Sequence, residues 1–281
     1  VESQRKENLF FLFVIVTVTV IAYAPLVDGI LTLSTRTTQA VNAFVLVAMA
    51  FVDAIATMIR RHALRLRIND HGLVLFTLSC VALVVASLMQ LWPLAVLGLC
   101  LNIGALLSFC FGREGVRVFY PAIGGLGVAV GMLVFVPRLD VALRVVAAKA
   151  SAWMLAAAGI RTDLVASQAP FQVAMVVEKG AGLFDVATEC NGFGILLSSV
   201  VLTVIMVIRR SVPVGRALGL VGFALAVGLV FNILRIVAIV MATMQSDLNY
   251  EVIHEGMGTV IYLLALVVVY AGNVVGSRWG R

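Results

Sequence analysis

The chain has 281 residues, 62% of them hydrophobic and only 12% charged, with a mean hydropathy of +1.11. A soluble domain keeps about a quarter of its residues charged, so a water-soluble protein is excluded and the chain belongs in lipid. Its net charge of +6 would suit a nucleic-acid partner in a soluble protein, but in a membrane the placement of the Lys and Arg residues matters more than their sum.

A membrane span needs about 20 mainly apolar residues, and the sequence predicts eight. They run over Leu9 to Leu26, Ala40 to Ile59, Gly72 to Leu91, Pro93 to Phe111, Tyr120 to Val136, Asn191 to Ile208, Ala217 to Ala242 and Gly256 to Val275. Arg5 and Lys6 precede the first run as they would in a signal peptide, but no small-residue cleavage site follows, so it reads as a retained span. Between the fifth and sixth spans lies the longest stretch outside lipid, Pro137 to Glu189. Its first part, Val141 to Gly159, is helical in character but carries Arg144 and Lys149, costly at mid-bilayer. It is expected to be an interfacial or extramembranous helix. Further on, Phe171 to Val177 and Leu183 to Ala187 are β-prone runs separated by Glu178-Lys179-Gly180-Ala181-Gly182, the pattern of a hairpin. The expected fold is one all-α, polytopic integral membrane domain over 1–281, with an extracytoplasmic helix and β-hairpin inserted at 137–189.

Short cytoplasmic loops collect Lys and Arg. With the N-terminus inside, 13 of the 20 basic residues fall on the cytoplasmic side, including Arg60, Arg61, Arg113, Arg117, Arg209, Arg210 and Arg216. Were Val141 to Gly159 a span, the last three would move outside. Eight spans with both termini cytoplasmic satisfy the rule and account for the basic balance without nucleic acid.

Of the four cysteines, Cys80, Cys100 and Cys110 lie in apolar runs as packing residues, and no spacing suggests a disulfide framework, a metal site or a cofactor. Cys190 differs. It opens the sixth span at the outer face, where backbone N–H groups and the helix dipole favour a thiolate. The same topology brings Arg235, about 27 Å along the seventh span, and His254, just ahead of the eighth, to that face. An imidazole can take the thiol proton and return it to a leaving amine; a guanidinium can stabilise an oxyanion. Asn232, three residues before Arg235, shares its helix face. Together they suggest acyl transfer through a thioester. Two other classes fit less well. A transporter or channel lined by Arg235, Asp53 and His254 would need polar groups through the bilayer rather than crowded at one face, and a structural or lipid-handling protein would not need the thiol.

These residues resemble the exosortase/archaeosortase family of membrane cysteine transpeptidases over roughly Val136 to Tyr270. The likeness rests on Val186-Ala187-Thr188-Glu189-Cys190-Asn191-Gly192, on Phe231-Asn232-Ile233-Leu234-Arg235-Ile236, and on His254 before a glycine-containing span. Many members have serine where Asn191 stands. The resemblance implies that Cys190 is the nucleophile, His254 the acid/base and Arg235 the transition-state stabiliser, with Asn232, Asn191 and Glu189 supporting. It further implies a location in the cytoplasmic membrane with the site facing outward. The implied substrates are secreted proteins bearing a C-terminal motif, a transmembrane helix and a basic tail, which are cleaved and passed to an envelope acceptor.

Overall fold

The computed structural model describes residues 2–36, 38–61, 68–167, 172–177, 182–186, 192–245 and 249–278. These form helices α1 (Glu2–Arg36), α2 (Thr38–Arg60), α3 (Asp70–Met89), α4 (Trp92–Ala157), α5 (Phe193–Arg209), α6 (Val214–Gln245) and α7 (Tyr250–Arg278), with strands β1 (Thr162–Ser167), β2 (Gln172–Val177) and β3 (Gly182–Val186) between α4 and α5. Six helical stretches among the described residues are long and apolar enough to cross a membrane; α5, at 17 residues, is apolar but shorter. The chain is a multi-pass membrane protein.

The expected fourth and fifth spans both lie in α4. Gly112, at φ 71° and ψ 174°, is non-helical, a conformation open to a residue without Cβ. Two arms fold back on each other there: Cys100 Sγ donates to the Ile123 carbonyl at 3.8 Å, and Phe111 stacks on Phe119 with ring centroids 5.4 Å apart. In a straight helix residues 100 and 123 would be about 35 Å apart. The second arm begins at once after Gly112 and continues through Ala157, so the separate fifth span and external helix expected from the sequence are one helix. In its last part Ala147, Ala148 and Leu155 pack against Ile236 and Val240 of α6. Arg144 is buried there.

Two compact units make up the chain. In the first, residues 1–134 and 204–211, α1 presents Ile15, Thr19, Tyr23 and Leu26 at helical spacing to its neighbours. Ile15 packs with Ala105 and Phe109. Thr19 donates to Asn102 Oδ1 at 3.0 Å, Asn102 donates to Ser79 Oγ at 3.0 Å, and the Tyr23 hydroxyl reaches the Ser79 carbonyl at 3.3 Å. In lipid such bonds replace part of the missing hydrophobic drive between helices, at about 0.6 kcal/mol each. Helix α2 buries Ala43, Val47, Ala54 and Met58, and exposes Val45, Met49, Val52, Ile55 and Ile59 on its other side, the pattern of a helix with one face to lipid.

The second unit holds residues 135–203 and 212–281. Here α6 and α7 pack side by side, with Ala224, Val227 and Val269 forming a core joined by Leu202 of α5. Buried Asn273 of α7 donates to Thr203 Oγ1 at 2.9 Å. The three strands form one antiparallel sheet in the order β1-β2-β3, with Met175 of β2 opposite both Leu164 and Phe184. The sequence reading had no counterpart to β1. The loop 178–181 of the expected hairpin is outside the described residues.

Candidate functional site

Arg235 stands on α6, ten residues before its end, and His254 is the fifth residue of α7. The short α6–α7 connection makes the two helices antiparallel neighbours, and Arg235 Nη2 lies 3.3 Å from His254 Nε2. A guanidinium carries only donors, so in this contact Nε2 accepts and the imidazole proton is assigned to Nδ1. Arg235 is 7% exposed and Asn232, one turn earlier on the same face, 1%. A charge so deep in an apolar helix pair is expensive unless it is paired, and the imidazole supplies one partner. The Tyr250 ring, four residues before His254, lies 5.6 Å from the imidazole centroid to centroid.

Two glycines shape these contacts, and neither drew notice in the sequence as a site residue. Gly258 lies one turn beyond His254 on α7; a Cβ there would be 3.0 Å from Arg235 Nε and 3.1 Å from Nη2. The guanidinium thus rests on bare helix surface. Gly192 has φ +74°, and a Cβ on it would fall 2.3 Å from Asn232 Cγ. Its carbonyl accepts the Leu196 N–H at 3.0 Å, which makes it the N-cap residue of α5. The chain entering α5 is therefore pressed against Asn232.

Helix α5 begins at Phe193, two residues later than the span expected from Asn191. Cys190, Glu189 and Asn191 lie outside the described residues. His254, expected ahead of its span, is inside α7. Asp53 belongs to the first unit, where its carboxylate pairs with Arg209 at 3.1 Å, both side chains half-exposed. Among the described residues no group of three or more His, Cys, Asp or Glu side chains is placed to hold a metal ion.

Neither curated proteins nor solved structures give a match to this chain. The sequence model of the transmembrane exosortases, by contrast, matches residues 33–271, from α1 to the last turns of α7. That match spans Asn232, Arg235, His254 and both glycines, and it carries with it a membrane transpeptidase-type role. The chain belongs to the transmembrane exosortase family.

Proposed function

We propose that the protein is a membrane cysteine protease/transpeptidase that cleaves C-terminal sorting signals of secreted proteins at the outer face of the cytoplasmic membrane, with Cys190 as nucleophile, His254 as acid/base and Arg235 as oxyanion stabiliser. The observation that carries the reading is the 3.3 Å contact between Arg235 and His254, beside Asn232 and against the Gly192 turn. Cys190 precedes Gly192 by two residues, a chain reach of about 7 Å at most. That tether is short enough for the proposed nucleophile to serve the cluster beside Asn232.

In the reaction, Cys190 Sγ attacks the scissile carbonyl carbon, forming the C–S bond, while its proton passes to His254. Only Nε2 has a lone pair to receive it, so Arg235 must release that nitrogen as the proton arrives. An imidazolium and a guanidinium then repel, and the freed guanidinium is drawn to the carbonyl oxygen as it becomes an oxyanion. Collapse breaks the C–N bond and His254 protonates the leaving amine. An envelope acceptor or water, deprotonated by the neutral imidazole, then cleaves the thioester and regenerates the thiol. Glu189 and Asn191 flank the nucleophile and Asn232 orients the turn that carries it. No cofactor enters these steps.

A substrate held by its own transmembrane helix diffuses in two dimensions and presents its scissile bond at the membrane surface. The β1-β2-β3 sheet offers edge strands to which an extended recognition motif can add. The proposed topology keeps both termini cytoplasmic. The test pairs the protein with a secreted protein from the same genome that carries such a tail. Processing should vanish in Cys190→Ala and His254→Gln with the protein still in the membrane; processing that survives Cys190→Ala overturns the assignment.

A further inference from the structure

In the first unit three helix ends line a half-open cavity of ≈ 370 Å³, within the range of about 300–1,000 Å³ common for small-molecule sites. It lies among the end of α2, the start of the second arm of α4 and the last turn of α5. Arg61, Arg117 and Arg209 line it, with the hydroxyl-bearing Thr57 and Tyr120, and Asp53 is its acidic group. Asp53 pairs with Arg209, and Glu114 pairs with Arg117, each at 3.1 Å. The Arg61 side chain has no hydrogen bond or ion pair among the described residues. With both pairs counted as neutral, one full positive charge is left over.

Arg61 and Arg209, at helix C-termini, complement the dipoles there, but Arg117 stands in the first turns of the second arm of α4, where the dipole gives no reason for a cation. Apart from Ser211 the remaining wall, including Val118, Ile205 and Ile208, is apolar. Next to the cavity, α2 carries Val52, Ile55 and Ile59 at 64%, 43% and 66% exposure, a stripe at helical spacing beside Asp53. The site therefore joins a surplus of guanidinium donors to an apolar approach. Guanidinium forks match phosphate oxygens in bidentate geometry, and basic pockets between membrane helices suit lipid headgroups.

We propose that this cavity binds the phosphate headgroup of an anionic phospholipid, held by Arg61, Arg117 and Arg209, with its acyl chains along the exposed stripe of α2. A basic peptide tail is disfavoured by the same surplus of charge. Lipid binding at this cavity does not depend on the thiol chemistry.

Delipidated protein in detergent is titrated with phosphatidylglycerol and with phosphatidylcholine, and lipid retention is read by native mass spectrometry. Phosphatidylglycerol should be retained over phosphatidylcholine, and Arg61→Gln, which breaks no ion pair, should weaken that retention by about tenfold. Arg60→Gln, a neighbouring exposed charge that does not line the cavity, should leave it unchanged, and millimolar inorganic phosphate should not displace the lipid. Gel filtration of each variant verifies its fold. Equal retention by Arg61→Gln and wild type overturns the proposal, as does an equal loss in Arg60→Gln. Displacement by inorganic phosphate overturns the lipid in favour of a soluble anion.

Discussion

Replacing Gly192 by alanine isolates the geometry of the candidate site without touching a reacting group. Two penalties arise. At φ +74° an L-residue incurs about 1–2 kcal/mol of left-handed strain. The new Cβ would also sit 2.3 Å from Asn232 Cγ, where ordinary contact begins at 3.4 Å, so the turn or Asn232 must shift by about 1 Å. Asn232 is 1% exposed and has little room to yield. A displacement of that size between reacting groups costs on the order of 10²-fold in rate. The assay is cleavage of a tail-anchored reporter by purified enzyme in nanodiscs, with thermal unfolding in parallel. Gly192→Ala should process about 10²-fold more slowly while losing about 1–2 kcal/mol of stability. Because Asn232 Cβ, Cγ and Nδ2 are the three atoms met, Asn232→Gly in the same chain should restore part of the rate, with a coupling of at least about 1 kcal/mol. Wild-type processing by Gly192→Ala, or strictly additive losses in the double variant, would refute the reasoning.

Gly258→Val should lift the guanidinium from α7, lengthen the Arg235–His254 contact and slow turnover by about tenfold or more with a smaller change in KM; unchanged kcat would show that the contact is dispensable. Asn273→Leu removes the 2.9 Å bond to Thr203 and should lower stability by about 0.6–1.7 kcal/mol, measured by denaturant titration in micelles, with processing per folded molecule unaltered. In a variant with Cys80, Cys100 and Cys110 replaced by alanine, a membrane-impermeant maleimide should label Cys190 in intact cells. Labelling that requires opened membranes would reverse the proposed topology.

Hydropathy located the membrane helices because lipid contact is what it measures. It missed their ends because a helix ends where its backbone groups are satisfied. Span eight was placed from Gly256, yet α7 starts at Tyr250, where Asn249 Oδ1 accepts the Glu251 N–H at 3.1 Å and its carbonyl accepts the Ile253 N–H at 3.2 Å. That cap was legible as Asn followed by an acidic first turn. Between the expected spans ending at Phe111 and starting at Tyr120, Arg113, Glu114 and Arg117 are helical, Glu114 and Arg117 forming an i,i+3 pair, and Gly112 makes the reversal. Arg235 and Asn232 stood out as polar residues in an apolar run, and burial against neighbouring helices is how such residues persist there. Gly192, inside the cysteine motif, and Gly258, in the glycine-containing span, carried no sign of a structural role. What makes them important is the atom each would strike, and that depends on a partner 40 or 23 residues away in the chain.

The same separations set the order in which the site can be built. Arg235 and His254 are 19 residues apart and meet across one helical hairpin, a contact with a short loop to close. The Gly192 turn awaits Asn232 of α6, 40 residues later in the chain. During synthesis from the N-terminus, the segment bearing the cysteine is in place well before its proposed partners. His254 therefore reaches Arg235 only when α7 inserts, and a chain truncated before α7 would enter the membrane without the pair on which the proposed reaction depends.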